Sequence, residues 1–168
     1  FYLIGPEEVY MERTVTVNAT PEVIYNEVNN LSEFNEWSPW YTKDTSASYQ
    51  FTGPEVGLGS KLSWVSEELG NGSMEITDLT ENKMALYQMD FGYGIAYARF
   101  KIEGVDDATK LTWTYEEEPK GMSKAIYSVM NIEDVLATDY EQGLENLKNH
   151  IESKPEPELE MSDDMMES

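Results

Sequence analysis

Polar and apolar residues alternate between Met11 and Val17, with Val15 and Val17 on one face and Thr14 and Thr16 on the other, and this period of two predicts a half-buried strand. Asn18-Ala19-Thr20-Pro21-Glu22 then reads as a helix start. Thr20 offers a capping hydroxyl, Pro21 suits the first turn, and Val23, Ile24 and Val28 make the apolar stripe of a short helix running to about Asn30. Leu31, Phe34 and Trp37 recur at helical spacing until Pro39 interrupts, which predicts a second short helix ending in Trp37-Ser38-Pro39-Trp40. From Ser48 to Glu118 the pattern becomes strands broken by turn residues: Gly57 and Gly59, Gly70-Asn71-Gly72, Glu81-Asn82, Gly92 with Gly94, and Asp106-Asp107. Six further strands fit, too closely spaced for intervening helices, so they predict an antiparallel meander.

After Pro119 and Gly121 the spacing switches once more. Met122, Ile126, Val129, Leu136, Tyr140, Leu144, Leu147 and Ile151 fall at helical intervals and predict one helix of nearly thirty residues, about 45 Å long. Only the concave face of a curved sheet is large enough to cover its stripe. The expected fold is therefore α+β: a curved seven-stranded antiparallel sheet around a long C-terminal helix, with two short helices between strands 1 and 2. Residues 9–151 form the domain, 1–8 a stub, and 152–168 a proline- and acid-rich tail expected to be disordered.

Charge and composition narrow the function. The chain has 168 residues, enough for one core, and carries 33 Asp+Glu against 11 Lys+Arg, a net of −22 that repels nucleic acid and anionic membranes. No cysteine and a single histidine, His150, argue against zinc sites and against cysteine or serine triads. No run of ~18 apolar residues spans a membrane. The apolar opening Phe1-Tyr2-Leu3-Ile4 fits either the end of a removed anchor or signal segment, or an artificial start. The compartment is not readable.

Five local signatures occur in order: Glu12-Arg13-Thr14-Val15-Thr16-Val17 leading to Ala19-Thr20-Pro21-Glu22-Val23; Trp37-Ser38-Pro39-Trp40; Gly53, then Gly57-Leu58-Gly59-Ser60 and Trp64; Leu111-Thr112-Trp113; and Tyr140 through Gly143 to Lys148. With the order of elements, they resemble the START-related polyketide cyclase/dehydrase and lipid-transport superfamily, often called SRPBCC, over roughly residues 9–151. The resemblance implies the helix-grip fold and an internal cavity, and much less a reaction. Some relatives carry an N-terminal anchor. Where cyclase-type members use cavity histidines or arginines, this chain offers only His150, Arg13 and Arg99.

The candidate pocket follows from the strand faces. Trp64, Met74, Met89 with Phe91, Phe100, and Trp113 with Tyr115 converge on the helix stripe at Ile126 and Val129. Bulky rings holding sheet from helix, with adaptable methionines between, would enclose a lipid or polyketide-like ligand; packed solidly, the same set is simply a core. Trp37 and Trp40 form either a portal or a buried staple. Glu133 falls between Val129 and Leu136 on the helical wheel and is the expected cavity acid, near Tyr115, unless the helix bends at Asn131. Glu116-Glu117-Glu118 reads as solvated, Gly57-Leu58-Gly59-Ser60 as a turn, and Gly143 either as a close approach between helix and strand or as a tolerated surface glycine. No metal and no cofactor are expected. Binding of a small hydrophobic ligand leads. A cyclase- or dehydratase-type enzyme using Glu133 and Tyr115, or an acidic protein-interaction domain, are the alternatives. Trp113→Ala is expected to alter ligand capacity more than the existence of the fold.

Overall fold

The computed structural model describes residues 8–92, 94–118 and 131–154, with the side chain of Ile132 excepted. Strand β1 is Val9–Val17 and helix α1 Pro21–Val28; a 3-10 turn at Leu31–Glu33 leads into helix α2, Phe34–Trp37, and a second at Tyr41–Lys43 precedes the sheet. Strands β2 Ser48–Thr52, β3 Lys61–Val65, β4 Gly72–Thr80, β5 Met84–Asp90, β6 Ile95–Val105 and β7 Ala108–Glu117 follow, then helix α3, Ile132–Ser153. The strands form one antiparallel sheet in the order β1-β7-β6-β5-β4-β3-β2. This is the helix-grip arrangement expected from the sequence.

Local chemistry sets the ends. The Thr20 hydroxyl accepts from the Val23 amide and Pro21 opens α1, as its sequence predicts. The β2–β3 loop needs Gly53, at φ +75°, because a Cβ there would lie 2.3 Å from the Gly59 carbonyl oxygen. A register shift between Ile76 and Asp78 bends β4 and helps the sheet curl.

Helix α3 differs from the expected thirty-residue helix. Asn131 is its N-cap, at φ −79° and ψ 82°, and its side chain accepts from the Asp134 amide, so the helical run starts at Ile132 and spans 22 residues, about 33 Å. Met122, Ile126 and Val129 lie outside the described residues. The C-terminal end runs past Ile151 to Ser153, where Glu152 accepts from the Asn18 amide at 3.0 Å and from Lys148 at 2.9 Å.

Ala137, Tyr140, Leu144, Leu147 and Ile151 carry the buried stripe of α3 against the sheet, and the core continues through Ile24, Val28 and Leu31 beneath the short helices. Polar ties fix the helix in place. Arg13 meets Glu141 at 3.0 Å, Lys43 meets Asp139 at 2.7 Å, and Lys148 reaches the Thr16 carbonyl at 2.9 Å. Exposed pairs like the first contribute little stability. They tie α3 to β1 through Arg13 and Thr16, and to the Tyr41–Lys43 turn through Lys43.

Candidate functional site

Between the sheet and α3 lies a cavity of about 260 Å³. The two-residue period of the strands builds its wall: Leu62 and Trp64 from β3, Met74 from β4, Tyr87 and Met89 from β5, Ala98 from β6, and Trp113 and Tyr115 from β7. Leu136 and Tyr140 of α3 close it from above, while Phe34, Trp40, Tyr49 and Phe91 close the sides. Trp64 is turned inward against a bare backbone, since a Cβ on Gly72 would stand 2.5 Å from its Cζ2.

Seven of the residues expected in the pocket are therefore brought together: Trp40, Trp64, Met74, Met89, Phe91, Trp113 and Tyr115. Ile126 and Val129 lie outside the described residues. Two others sit deeper than expected. Phe100 is fully buried and stacked parallel to Trp113, its cross-strand neighbour, with centroids 5.1 Å apart. Trp37, also buried, meets Phe34, Phe100 and Trp113 edge-on at 4.8, 5.9 and 5.6 Å. Trp37 is thus the staple, and Trp40 takes the rim position.

Glu133 corrects the sequence reading. It is exposed and does not line the cavity, because the helix begins only at Ile132 and the wheel extrapolated from Val129 does not carry through Asn131. In the first turn a carboxylate faces the positive end of the helix dipole, a favourable place in water. The acid that meets Tyr115 is instead Glu117, 3% exposed and outside the cavity lining, whose Oε2 accepts from the Tyr115 hydroxyl at 2.8 Å. The expectation that Glu116-Glu117-Glu118 is uniformly solvated fails at its middle member. Extending the alternation Leu111, Trp113, Tyr115 by one step would have found it. The same rule applied back from Met89 finds Tyr87.

The other polar atoms around the cavity are largely engaged elsewhere. Tyr140 donates to the Thr114 carbonyl at 3.0 Å, Tyr87 donates to the Val28 carbonyl, and Trp40 Nε1 donates to Asp139 at 3.0 Å. Burial pushes the Tyr87 and Tyr140 phenols well above their ordinary range, so both stay neutral. The indole N–H groups of Trp37 and Trp113 are buried without an acceptor.

One carboxylate network fixes the cavity's edge. Asp44 accepts from the Ser46 hydroxyl at 2.6 Å, the Ser66 hydroxyl at 2.7 Å and the Ser46 amide at 2.9 Å, and Ser66 in turn accepts from the amide of Leu69 at 2.9 Å. Ser66 and Leu69 both line the cavity. The hydrogen bonds from Ser46 and then Ser66 hold Asp44 below the ordinary 3.8, at about 2, against the opposing effect of burial. A depressed folded-state pKa contributes stability that is full above the unfolded value and disappears as pH falls through the folded one. Asp44→Asn is therefore expected to be less stable than the parent above about pH 4, with the gap closing toward pH 2. Urea unfolding of both proteins from pH 2 to 6 checks this, and a constant gap would refute it.

A second cluster joins α1 to the end of α3. His150 Nε2 lies 2.7 Å from Glu27 Oε1 and 3.3 Å from Glu33 Oε2, and Lys154 Nζ lies 2.8 Å from Glu27 Oε2. Three metal-ligating side chains converge here. The Lys154 ammonium lies against Oε2 of Glu27 and 3.6 Å from Oε2 of Glu33, so the cluster ties α1 and the Leu31–Glu33 turn to the end of α3.

Among the described residues no helix is long and apolar enough to cross a membrane. No curated protein matches the chain in sequence. Solved structures do match in fold. The Zhui aromatase/cyclase from Streptomyces sp. R1128 superposes with a TM-score of 0.65 at 14% identity, covering 86% of this chain and 94% of that one. The Aha1 dimer from Colwellia psychrerythraea gives 0.60 at 18% identity, over 86% and 97%. Ara h 8.0201 gives 0.61 at 13% identity, over 88% and 99%. At these identities the likeness speaks for the helix-grip fold alone. The family model for polyketide cyclase/dehydrase and lipid transport matches residues 8–152, nearly the whole described domain, and the chain belongs to that family.

Proposed function

We propose that this protein takes up a small hydrophobic or amphipathic molecule, of lipid or polyketide-like type, in the cavity between the sheet and α3. The observation that carries this reading is the cavity's lining: rings, methionines and leucines whose few polar atoms are mostly satisfied within the protein. A closed apolar cavity of ~150 Å³ accepts benzene. The 260 Å³ found here suits a larger body, such as fused rings or a folded acyl chain. Affinity would come mainly from apolar area removed from water. Leu69, Trp40 and Leu136 line the cavity while remaining partly exposed, so they mark the rim through which a ligand enters. Of the two residues the sequence offers for a reaction, Tyr115 lines the cavity and Glu133 does not.

Native mass spectrometry of gently purified protein, followed by thermal melts with a panel of fatty acids and naphthols, tests the proposal. A ligand at one hundred times its Kd should stabilise the fold by about 2.7 kcal/mol, raising Tm by roughly 5–10 °C. Ala98→Leu is the discriminating variant. Ala98 lies between Tyr87 and Tyr115 across the strands and lines the cavity, so a leucine there extends into the space a ligand would fill. It should keep the fold and weaken uptake about tenfold or more, the loss of ~1.4 kcal/mol of binding energy. Equal uptake by parent and variant, or no ligand-induced stabilisation across the panel, would overturn the proposal. Turnover of a bound ligand that Tyr115→Phe abolishes would instead identify an enzyme.

A further inference from the structure

Among the described residues that line the cavity there is no lysine, arginine or histidine. Three hydrogen-bond donors of its wall are turned onto carboxylates. The Tyr115 hydroxyl donates to Glu117 at 2.8 Å, the Ser66 hydroxyl to Asp44 at 2.7 Å and the Trp40 indole to Asp139 at 3.0 Å. Each of these acids stands one hydrogen bond beyond the wall and outside the lining itself. Lys43 pairs with Asp139, but among the described residues neither Glu117 nor Asp44 forms an ion pair. Both are withdrawn from solvent, at 3% and 6% exposure, where salt screens a charge weakly. Their influence reaches the wall. Tyr49 lines the cavity, and burial first, then Tyr41 and Asp44, hold its phenol above the ordinary range. The Trp113 indole N–H has no acceptor but has almost no accessible surface either, so it is not offered to a ligand.

We propose that the cavity selects an uncharged ligand whose polar end is a hydroxyl group, and rejects the carboxylate of the same shape. This rests on the uptake proposed above and narrows its ligand class. An anion entering the cavity would leave water, meet no cation on the described wall, and lie across one side chain from two unpaired carboxylates. A neutral hydroxyl escapes the charge cost and needs only one polar partner. Asn35 of α2 and Ser38 at its end supply uncharged groups in the lining, and the Asn35 amide can both donate and accept. Asn35 also lines an outer depression with Gln142 and Asn146, so it stands between cavity and solvent and puts the hydroxyl end at the rim. An organic cation fits less well. The carboxylates would attract it, but Tyr115 and Ser66 stand in between, so no carboxylate oxygen in the described lining replaces the water it gives up.

Equilibrium dialysis near neutral pH with 2-naphthol, 2-naphthoate and 2-naphthylmethylammonium, which share one ring system, tests it. The naphthol should bind about tenfold or more tightly than either ion. The preference should persist at about 1 M salt, because the carboxylates behind the wall are shielded from counterions. Glu117→Gln keeps an acceptor for Tyr115 while removing the charge, and should narrow the naphthol-to-naphthoate ratio about threefold. Asp44→Asn, under conditions where its thermal melt shows a folded protein, should narrow it similarly. Glu81→Gln removes a charge from an exposed turn and should leave the ratio unchanged. If none of the three compounds binds, the uptake proposal falls and this inference with it. If naphthoate or the ammonium binds as tightly as naphthol, uptake stands and this inference alone is overturned. A ratio that collapses in salt, or that Glu81→Gln narrows as much as the other two variants, reports only the diffuse field of the −22 net charge and overturns it as well. So does a ratio that neither Glu117→Gln nor Asp44→Asn changes.

Discussion

Trp113→Ala is expected to destabilise the domain by about 3–5 kcal/mol, the range for removing a buried aromatic side chain. The indole is 2% exposed and held on several sides at once. Tyr140 stacks on it with centroids 3.7 Å apart and planes 10° apart, Phe100 lies parallel at 5.1 Å, and Trp37 and Trp40 approach edge-on at 5.6 and 5.8 Å. Each such aromatic pair adds about 0.5–1.5 kcal/mol beyond the area it buries. Against a typical total stability of about 5–15 kcal/mol, this one change removes a large share. Thermal unfolding should therefore show a Tm lower by roughly 10 °C or more. Trp113→Phe keeps one stacked ring and should recover over half of the loss. A cost for Trp113→Ala below about 1.5 kcal/mol would mean that the ring is only a cavity wall. The sequence reading expects the variant to change ligand capacity more than the existence of the fold, and the stacking around the ring adds a large stability cost to that expectation. Trp113 serves both, so ligand loss in Trp113→Ala would not separate them. Ala98→Leu does.

The strands, the short helices and the antiparallel order were legible because each rests on short-range signals: alternation in β1 and β7, Thr20 and Pro21 opening α1, and glycine and asparagine at the turns. Most of the cavity wall was legible for the same reason, since period two assigns Trp64, Met74, Met89, Trp113 and Tyr115 to one face. Depth was not. Trp37 and Phe100 have the residue types of a pocket wall, and only the three-dimensional stack shows that they lie behind it. The acid was misplaced because helical phase was carried through Asn131, where a side-chain cap starts the helix afresh. Glu117 was missed because three consecutive glutamates suggest water, although the strand buries every second residue whatever its charge.

Gly143 is the second position where a small change should have a large effect, and two opposing contributions decide its sign. In the interior of α3, replacing glycine with alanine gains about 1 kcal/mol of helix propensity. At a solvated site that would settle the matter. Here a Cβ would stand 2.9 Å from Trp113 Cζ3 and 3.1 Å from Pro39 Cδ. Neither neighbour gives way easily: the indole is locked by Tyr140 and Phe100, and the proline ring is rigid. Overpacking of this kind typically costs about 1–3 kcal/mol. The steric contribution should win, making Gly143→Ala neutral to moderately destabilising, and Gly143→Leu, whose further atoms have no space at all, destabilising by several kcal/mol. The two sequence readings of Gly143 separate here, because a tolerated surface glycine would be stabilised by alanine. The close approach is real, but it is made by the Trp113 ring and Pro39 rather than by strand backbone. The same displacement should reach the cavity, since moving Trp113 moves one of its walls. Chemical denaturation gives the sign directly, and Gly143→Ala more stable than the parent would show that helix and indole are not in the tight contact on which the pocket's shape depends.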